Sequence, residues 1–397
     1  MTSKQKTLVI TVATFNQFGG IGTFVTNLSQ RLKDLGWRVD LIVTNGGLAA
    51  SQYREDFTTI HDIADLPLSL DKCKRASDLI NSIRPLALIT NDSPLIHYAL
   101  PLIDPRVRPI AIVHNDLSAF YNRACIGKRR IFRWVSPTPK LSLELRKRLP
   151  KALHENTVVI SHGVSDVVFS PLEKGPRPPR GGIVFAGSLL PHKGVDLLAD
   201  IMNMVVKKVP SAHLYIAGGG EGKAAAERSF RQMGIADCVS WLGRKQPMEM
   251  REVYELADIL LLPTRVEGFG LVIAEAMMSG IVPVVTRLSG ITDAIVKHGV
   301  NGFLVDKDKV HDFAAVIVDL LTDPQKMVGA GVAARRHAQD HLSLDSMVAA
   351  YENLIIASDN RKIKARIPDA SWRVEFAQEY MLHRWARVRD RLKLRWG

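Results

Sequence analysis

Residues 259–286, ILLLPTRVEGFGLVIAEAMMSGIVPVVT, hold one complete unit of a parallel α/β fold. Ile259–Leu262 is an apolar run of strand length, Leu271–Met278 is a run of helix formers, and Val282–Thr286 is a second strand rich in β-branched residues. Gly268, Phe269 and Gly270 stand where the helix starts, and Ser279-Gly280 closes it. The helix is apolar nearly all round, which predicts that it is buried. Two carboxylates sit in this apolar setting, Glu267 just before the helix and Glu275 inside it. At 1.5 Å per residue they are roughly 12 Å apart, so one extended ligand could touch both. The helix macrodipole alone accounts for an acid at the position of Glu267. It does not account for Glu275, because a buried carboxylate without a partner costs several kcal/mol. Either a neighbouring Arg or backbone amide pairs with it, or a ligand does.

The same alternation extends in both directions. Upstream, Leu8–Ala13, Val39–Thr44, Leu86–Thr90 and Ile110–His114 read as strands, with a helix over Thr23–Leu35 that ends at Gly36. Residues 171–182, PLEKGPRPPRGG, carry four prolines and three glycines and read as an interdomain linker. The alternation then restarts with strands Ile183–Ala186, His213–Ala217 and Val239–Leu242 and helices Val195–Val206, Ala224–Met233 and Met248–Leu256. A helix over Val310–Leu321 follows the opening unit. This pattern predicts two domains, each a parallel sheet covered by helices on both faces, over 1–172 and 181–342. Ligands of such sheets bind beyond the carboxyl ends of the strands, so two facing domains would enclose a site in their cleft.

A chain of 397 residues is long enough for two hydrophobic cores. No apolar stretch reaches the ~18 residues needed to span a bilayer. The N-terminal run from Lys4 to Phe15 is followed by a glycine-rich turn and not a small-residue cleavage site, so it reads as a first strand. Cys73, Cys125 and Cys238 form neither a metal pattern nor an even disulfide framework, which fits a reducing, cytoplasmic compartment. The net charge of +13 is unevenly spread: residues 1–175 carry 23 Lys+Arg against 15 Asp+Glu, residues 176–360 carry 19 against 21, and residues 361–397 carry 11 against 4. Arg123–Lys151 alone holds ten basic residues and one acid, Glu144. The first domain and the tail are therefore the faces suited to an anionic surface, such as the inner face of a membrane. No recognised nucleic-acid-binding module accompanies the charge, which argues against a nucleic-acid partner.

Two glycine-rich loops carry the remaining chemistry. Gly19-Gly20-Ile21-Gly22 follows the first strand and opens the first helix, where free N–H groups suit a phosphate. The loop departs from the dinucleotide fingerprint because position 25 is Val, which argues against a nicotinamide enzyme. Gly187-Ser188-Leu189-Leu190-Pro191-His192-Lys193-Gly194 occupies the matching place in the second domain, and Lys193 could stabilise negative charge on a leaving group.

With these motifs in order the chain resembles the family 4 glycosyltransferases, retaining enzymes of GT-B fold, over roughly residues 7–357. The resemblance rests on the first glycine loop, residues 159–171 (VISHGVSDVVFSP), the Gly187–Gly194 loop, Ile216-Ala217-Gly218-Gly219-Gly220, the paired glutamates, Ser289-Gly290-Ile291 and residues 301–305 (NGFLV). It implies an α/β fold of two facing Rossmann-like domains: an acceptor domain first and a nucleotide-sugar donor domain second. A C-terminal crossover helix would follow within 343–360. It implies that Glu267 faces the donor sugar, that Glu275 binds the ribose hydroxyls, that Lys193 neutralises the diphosphate, and that His114 lies beside the transferred sugar. Gly19, Gly20, Ser188, Arg265, Gly268, Phe269, Gly270 and Leu271 would complete the donor site, and Trp241–Lys245 lies where the family seats the base. The family usually has Arg where this sequence has Ser188, so half of a diphosphate clamp is missing; Arg265 is the candidate substitute. Asp293 also stands where Glu is commoner.

The implied function is transfer of a sugar, with retention, from a nucleoside diphosphate sugar to a glycan or lipid-linked acceptor in polysaccharide or glycolipid assembly. No cofactor is implied, and no metal-ligand cluster is visible in the sequence. A non-catalytic subunit that binds nucleotide sugar or a membrane partner, and a nucleotide-sugar epimerase, are the rival readings. Beyond residue 360, Trp372, Phe376, Tyr380, Trp385, Val388, Leu392 and Trp396 recur every three to five residues among arginines, the pattern of a basic amphipathic helix over 371–397.

Overall fold

The structure is a computed structural model that describes residues 5–15, 19–46, 55–65, 69–170 and 181–357. Most of the linker and the whole of the basic tail lie outside the described residues, and with them the amphipathic-helix reading of 371–397. The first domain runs β1 (Thr7–Val12), α1 (Gly20–Asp34), β2 (Arg38–Val43), β3 (Thr59–Asp62), α2 (Leu70–Ile83), β4 (Ala87–Asn91), α3 (Pro94–Ala99), β5 (Arg108–Ile112), α4 (Ser118–Ala124), β6 (Arg133–Ser136), α5 (Pro139–Arg146) and β7 (Thr157–Val159). The second runs β8 (Gly182–Ala186), α6 (Leu198–Val206), β9 (His213–Ala217), α7 (Lys223–Gln232), β10 (Val239–Gly243), α8 (Met250–Glu255), β11 (Ile259–Leu262), α9 (Leu271–Met278), β12 (Val282–Thr286), β13 (Phe303–Val305), α10 (Val310–Thr322) and α11 (Pro324–His341). A last helix, α12 (Leu344–Ile356), follows.

Each domain is one parallel sheet, in the orders β3-β2-β1-β4-β5-β6-β7 and β10-β9-β8-β11-β12-β13. The direction of winding reverses between β1 and β4 in the first sheet and between β8 and β11 in the second. Diverging loops open a crevice at such a reversal. The loops after β1 and β8 are the two glycine-rich segments, so the topology turns both toward ligand positions.

The crossing between domains depends on a glycine. A Cβ on Gly163 would stand 2.5 Å from the Ser343 carbonyl oxygen, and the neighbouring Val164 exchanges two backbone hydrogen bonds with Leu342 and Leu344, each 2.9 Å. Ser343 then caps α12 by accepting from the Ser346 amide. Although it follows the second domain in sequence, α12 buries Leu344, Met347, Val348, Tyr351 and Ile355 in the core of the first. Burying a side chain of this size contributes roughly 1.5–3 kcal/mol, which ties the chain's end to its beginning.

Several elements differ from the sequence expectation. α1 begins at Gly20 and not Thr23, so Gly20 and Gly22 lie in its first turn and Gly19 is its N-cap residue. Residues 195–197 form a 3-10 turn ahead of α6. The strand expected to end at His114 ends at Ile112, which leaves His114 on the loop above the sheet.

Candidate active site in the interdomain cleft

α9 explains the geometry of the site. Gly270 takes a left-handed φ of 89° at the helix start, a conformation available to glycine at no steric cost. Gly268 lies so close to the first domain that a Cβ there would be 1.9 Å from the His114 carbonyl oxygen. Its own carbonyl accepts from Thr138 Oγ1 at 3.3 Å. The segment before α9 is thus pressed against the opposite domain, and Glu267 is carried with it.

Two groups of residues gather along this segment. The first lines a pocket of about 300 Å³ at the paired winding reversals. Gly19, Gly20 and Thr23 contribute from the first domain; Gly187, Ser188, Gly218, Gly219, Arg244, Lys245, Leu271 and Glu275 are among those from the second. Glu275 is buried, and its Oε2 accepts a 2.8 Å hydrogen bond from the Tyr254 hydroxyl. The partner is therefore a neutral hydroxyl and neither the arginine nor the backbone amide weighed from sequence. Burial without a cation pushes the Glu275 carboxyl up to about 7, with the Tyr254 hydrogen bond opposing the shift.

The second group lies beside the pocket. Lys193 Nζ and Glu267 Oε2 form a 2.6 Å ion pair, with side chains 20% and 12% exposed. His114 Nε2 meets Asn91 Oδ1 at 2.7 Å, and His114 Nδ1 meets His162 Nε2 at 3.4 Å. Asn91 Nδ2 is committed to the Thr11 carbonyl, so His114 Nε2 must donate to Asn91 and carries the proton. Burial and the adjacent His162 hold His114 well below the usual histidine range; burial alone takes His162 to about 3. Both rings are neutral, stacked with centroids 5.3 Å apart. His162 also meets Phe269 edge to face at 5.2 Å, which makes a continuous aromatic contact between the domains.

The expected donor-site residues thus divide. Gly19, Gly20, Ser188, Leu271 and Glu275 share the pocket wall. Glu267, Lys193, His114, Gly268 and Phe269 meet beside it, and Gly270 joins the two groups. Arg265, the candidate substitute for a cation at Ser188, is turned elsewhere. It forks onto Asp196 at 2.7 and 2.8 Å, reaches Asp308 at 2.7 Å, and does not line the pocket. Two acids consume its charge. Sequence reading missed Thr23, Arg244 and Tyr254 as parts of the site. Arg244 lay within the segment assigned to the base, but nothing in the sequence aims it at the Gly218-Gly219 loop. Tyr254 is an ordinary apolar-face residue until α8 meets α9.

No group of three or more His, Cys, Asp or Glu that could hold a metal ion occurs among the described residues. No helix among them is long and apolar enough to cross a membrane.

The fold agrees with what the chain resembles. Residues 173–337 match the family model "Glycosyl transferases group 1". An uncharacterized glycosyltransferase of Haemophilus influenzae is 25% identical over 81% of this chain and 92% of its own length. A D-inositol 3-phosphate glycosyltransferase of Kribbella flavida is 26% identical over 84% of this chain and 90% of its own. Other relatives match over about half their length, among them a GDP-mannose-dependent alpha-(1-6)-phosphatidylinositol monomannoside mannosyltransferase of Mycobacterium tuberculosis, 30% identical over 47% of this chain and 49% of its own. Among solved structures, Anabaena HepE in complex with UDP and glucose superposes with a TM-score of 0.76 at 15% identity, covering 88% of this chain and 99% of that one. Staphylococcus aureus TarM in complex with UDP superposes at 0.75 and 12% identity, covering 89% and 100%. These structural likenesses establish the GT-B fold, and the sequence matches show what the chain is similar to: the group 1, or family 4, glycosyltransferases, enzymes that transfer a sugar from a nucleotide sugar, with the family match lying in residues 173–337.

Proposed function

We propose that the chain transfers a sugar, with retention at the anomeric carbon, from a nucleoside diphosphate sugar to a glycan or lipid-linked acceptor in polysaccharide or glycolipid assembly. The observation that carries this reading is the buried, cation-free Glu275 on the wall of a pocket shared by both domains. A carboxylate held there gains what it lacks by accepting two vicinal ribose hydroxyls. The nucleoside then fills the pocket, the phosphates lie along the glycine loops and helix starts, and the sugar extends toward Glu267, Lys193 and His114.

Lys193 neutralises the diphosphate once the donor separates it from Glu267, and Glu267 turns to the sugar hydroxyls. In the transfer, the acceptor oxygen bonds to the anomeric carbon on the face the diphosphate leaves. The bond from that carbon to the phosphate oxygen breaks, and the acceptor proton passes to the departing phosphate. His114, whose ring nitrogens both have partners, acts by position and not as a base. Turnover proceeds without added divalent cation, and an unchanged rate in chelator checks this.

The first domain bears exposed Lys128, Arg129, Lys147 and Lys151 together with Leu117 and Leu143, which are 46% and 55% exposed. Basic residues with protruding leucines suit an anionic membrane, which supports a peripheral location on its inner face and a lipid-linked acceptor.

The test is a thermal-shift panel of UDP, GDP, ADP and dTDP sugars, followed by transfer of labelled sugar from the donor that binds to lipid-linked and soluble glycan acceptors. Binding of one nucleotide class and labelled product are expected. No binding would overturn the reading, and binding with no transfer to any acceptor would make the chain a non-catalytic subunit. Flotation with phosphatidylglycerol vesicles at low and high salt tests the membrane part separately.

A further inference from the structure

Lys193 and Glu267 meet at 2.6 Å although they stand on separate segments, the turn after β8 and the stretch before α9. The backbones of these segments are pressed together. A Cβ on Gly194 would stand 2.1 Å from the Pro263 carbonyl oxygen, and the Arg265 amide donates to the His192 carbonyl at 2.7 Å. The Arg265 side chain then reaches back along the turn and grips it on both sides of Lys193. Nη1 donates to the Pro191 carbonyl before the lysine, and Nη1 and Nη2 fork onto Asp196 after it. Nε donates to Asp308, which precedes α10 and holds a left-handed φ of 61°. One guanidinium therefore joins the Lys193 turn, the Glu267 stretch and the loop between β13 and α10. Its side chain is 23% exposed, against 50% for Asp196 and 47% for Asp308. Isolated pairs at such exposure add little to stability, but a bidentate fork within a network holds geometry.

We propose that Arg265 is a positioning residue for sugar transfer: it clamps the Lys193 turn to the segment that carries Glu267, and so sets where the lysine meets the departing diphosphate and where the carboxylate meets the sugar. The arginine itself touches neither. A displacement of about 1 Å is enough to cost on the order of 10²-fold in rate. The inference rests on the nucleotide-sugar reading above.

Two measurements on the full-length protein test it: turnover of labelled donor, to acceptor or to water, and calorimetry with the matching nucleoside diphosphate. The donor is whichever of the UDP, GDP, ADP and dTDP sugars binds. Arg265→Gln is expected to lower kcat about 10–100-fold and to leave diphosphate affinity within about threefold, because Lys193 acts on charge that develops as the bond breaks. Arg265→Lys recovers only part of the rate, since an ammonium cannot fork onto Asp196 and reach Asp308 together. In a Lys193→Ala background the further loss from Arg265→Gln shrinks to about threefold or less, the non-additivity of residues that act through one another. The decisive variant carries Asp196→Asn with Asp308→Asn, both at exposed positions, and frees the guanidinium without removing it. A positioning role predicts that its kcat falls as in Arg265→Gln while diphosphate affinity is unchanged. Tighter diphosphate binding by this variant would make Arg265 a cation for the phosphates and overturn the proposal. So would an unchanged kcat in Arg265→Gln, or a loss of diphosphate affinity as large as the loss of kcat. Wild-type binding without turnover removes the reaction that Arg265 is proposed to serve and overturns the proposal with it. A wild-type protein that binds none of the four donors would instead defeat the nucleotide-sugar reading itself.

Discussion

Glu267 and Glu275 stand eight residues apart on one segment, yet the cleft treats them oppositely. Glu267 is met by Lys193 at 2.6 Å, while Glu275 has only the Tyr254 hydroxyl at 2.8 Å and is pushed up to about 7 by burial. The first carboxylate arrives partnered, and a ligand must separate it from its cation. The second is only about half ionised near pH 7, and a ligand offering hydroxyl donors draws it into its charged form. The difference teaches that an acid's role in this site is set by what packs around the helix, since spacing and residue type are the same for both.

The contrast is broken most severely at Glu267. Glu267→Gln is expected to lower kcat about 10²–10³-fold, the scale of losing one group that acts on developing charge. Nucleoside diphosphate affinity should hold or rise, because Lys193 is released. Steady-state kinetics with calorimetry separates the two; a parallel loss of binding would show that Glu267 is a general binding group. Gly268→Ala comes next. Its methyl would stand 1.9 Å from the His114 carbonyl oxygen, so it forces the domains apart and should cost turnover far more than nucleotide affinity.

Glu275→Gln should weaken the nucleotide roughly 10–100-fold, the range for a hydrogen bond to a charged group. It also makes a prediction about stability. The folded chain holds the Glu275 proton up to about 7, whereas the ordinary value is 4.5. Between those values the folded state binds the extra proton, so stability from this group is greatest below 4.5 and falls as pH rises through about 7. The loss amounts to about 3 kcal/mol. Glu275→Gln lacks this titration, and its Tm should gain on the wild type's across that window; a difference independent of pH would contradict the burial argument. Tyr254→Phe gives the smallest effect. Without the hydroxyl that favours the charged form, the carboxyl rises further, and the pH midpoint of nucleotide binding moves up by less than one unit.

The fold was legible where strands are apolar and central. β1, β4, β5, β8, β11 and β12 are buried on both faces and read as continuous apolar runs. The elements missed carry weaker local signals. β6 opens on Arg133, β3 and β7 close the two edges of their sheet, and α2 is a polar helix made plain only by Ser69 capping the Lys72 amide. Of the site, the glycines and the two glutamates were legible because close backbone approach and a buried charge each demand a particular residue type. The partners were not: Tyr254, Arg244, Asp196 and Asp308 come from segments remote in sequence, and only packing decides which charge meets which. Arg265 illustrates this, since an arginine two residues before Glu267 gives no hint that two acids already claim it.

The most direct measurement is the affinity of the nucleoside diphosphate that the wild-type protein binds, taken from pH 5.5 to 8.5 in parallel with Glu275→Gln. Ribose held by an ionised Glu275 predicts that wild-type affinity rises as pH passes about 7 and levels above it, while the variant binds weakly and evenly throughout. The same pH profile for both proteins, or no nucleotide binding by either, would contradict a nucleotide-sugar site built on this carboxylate.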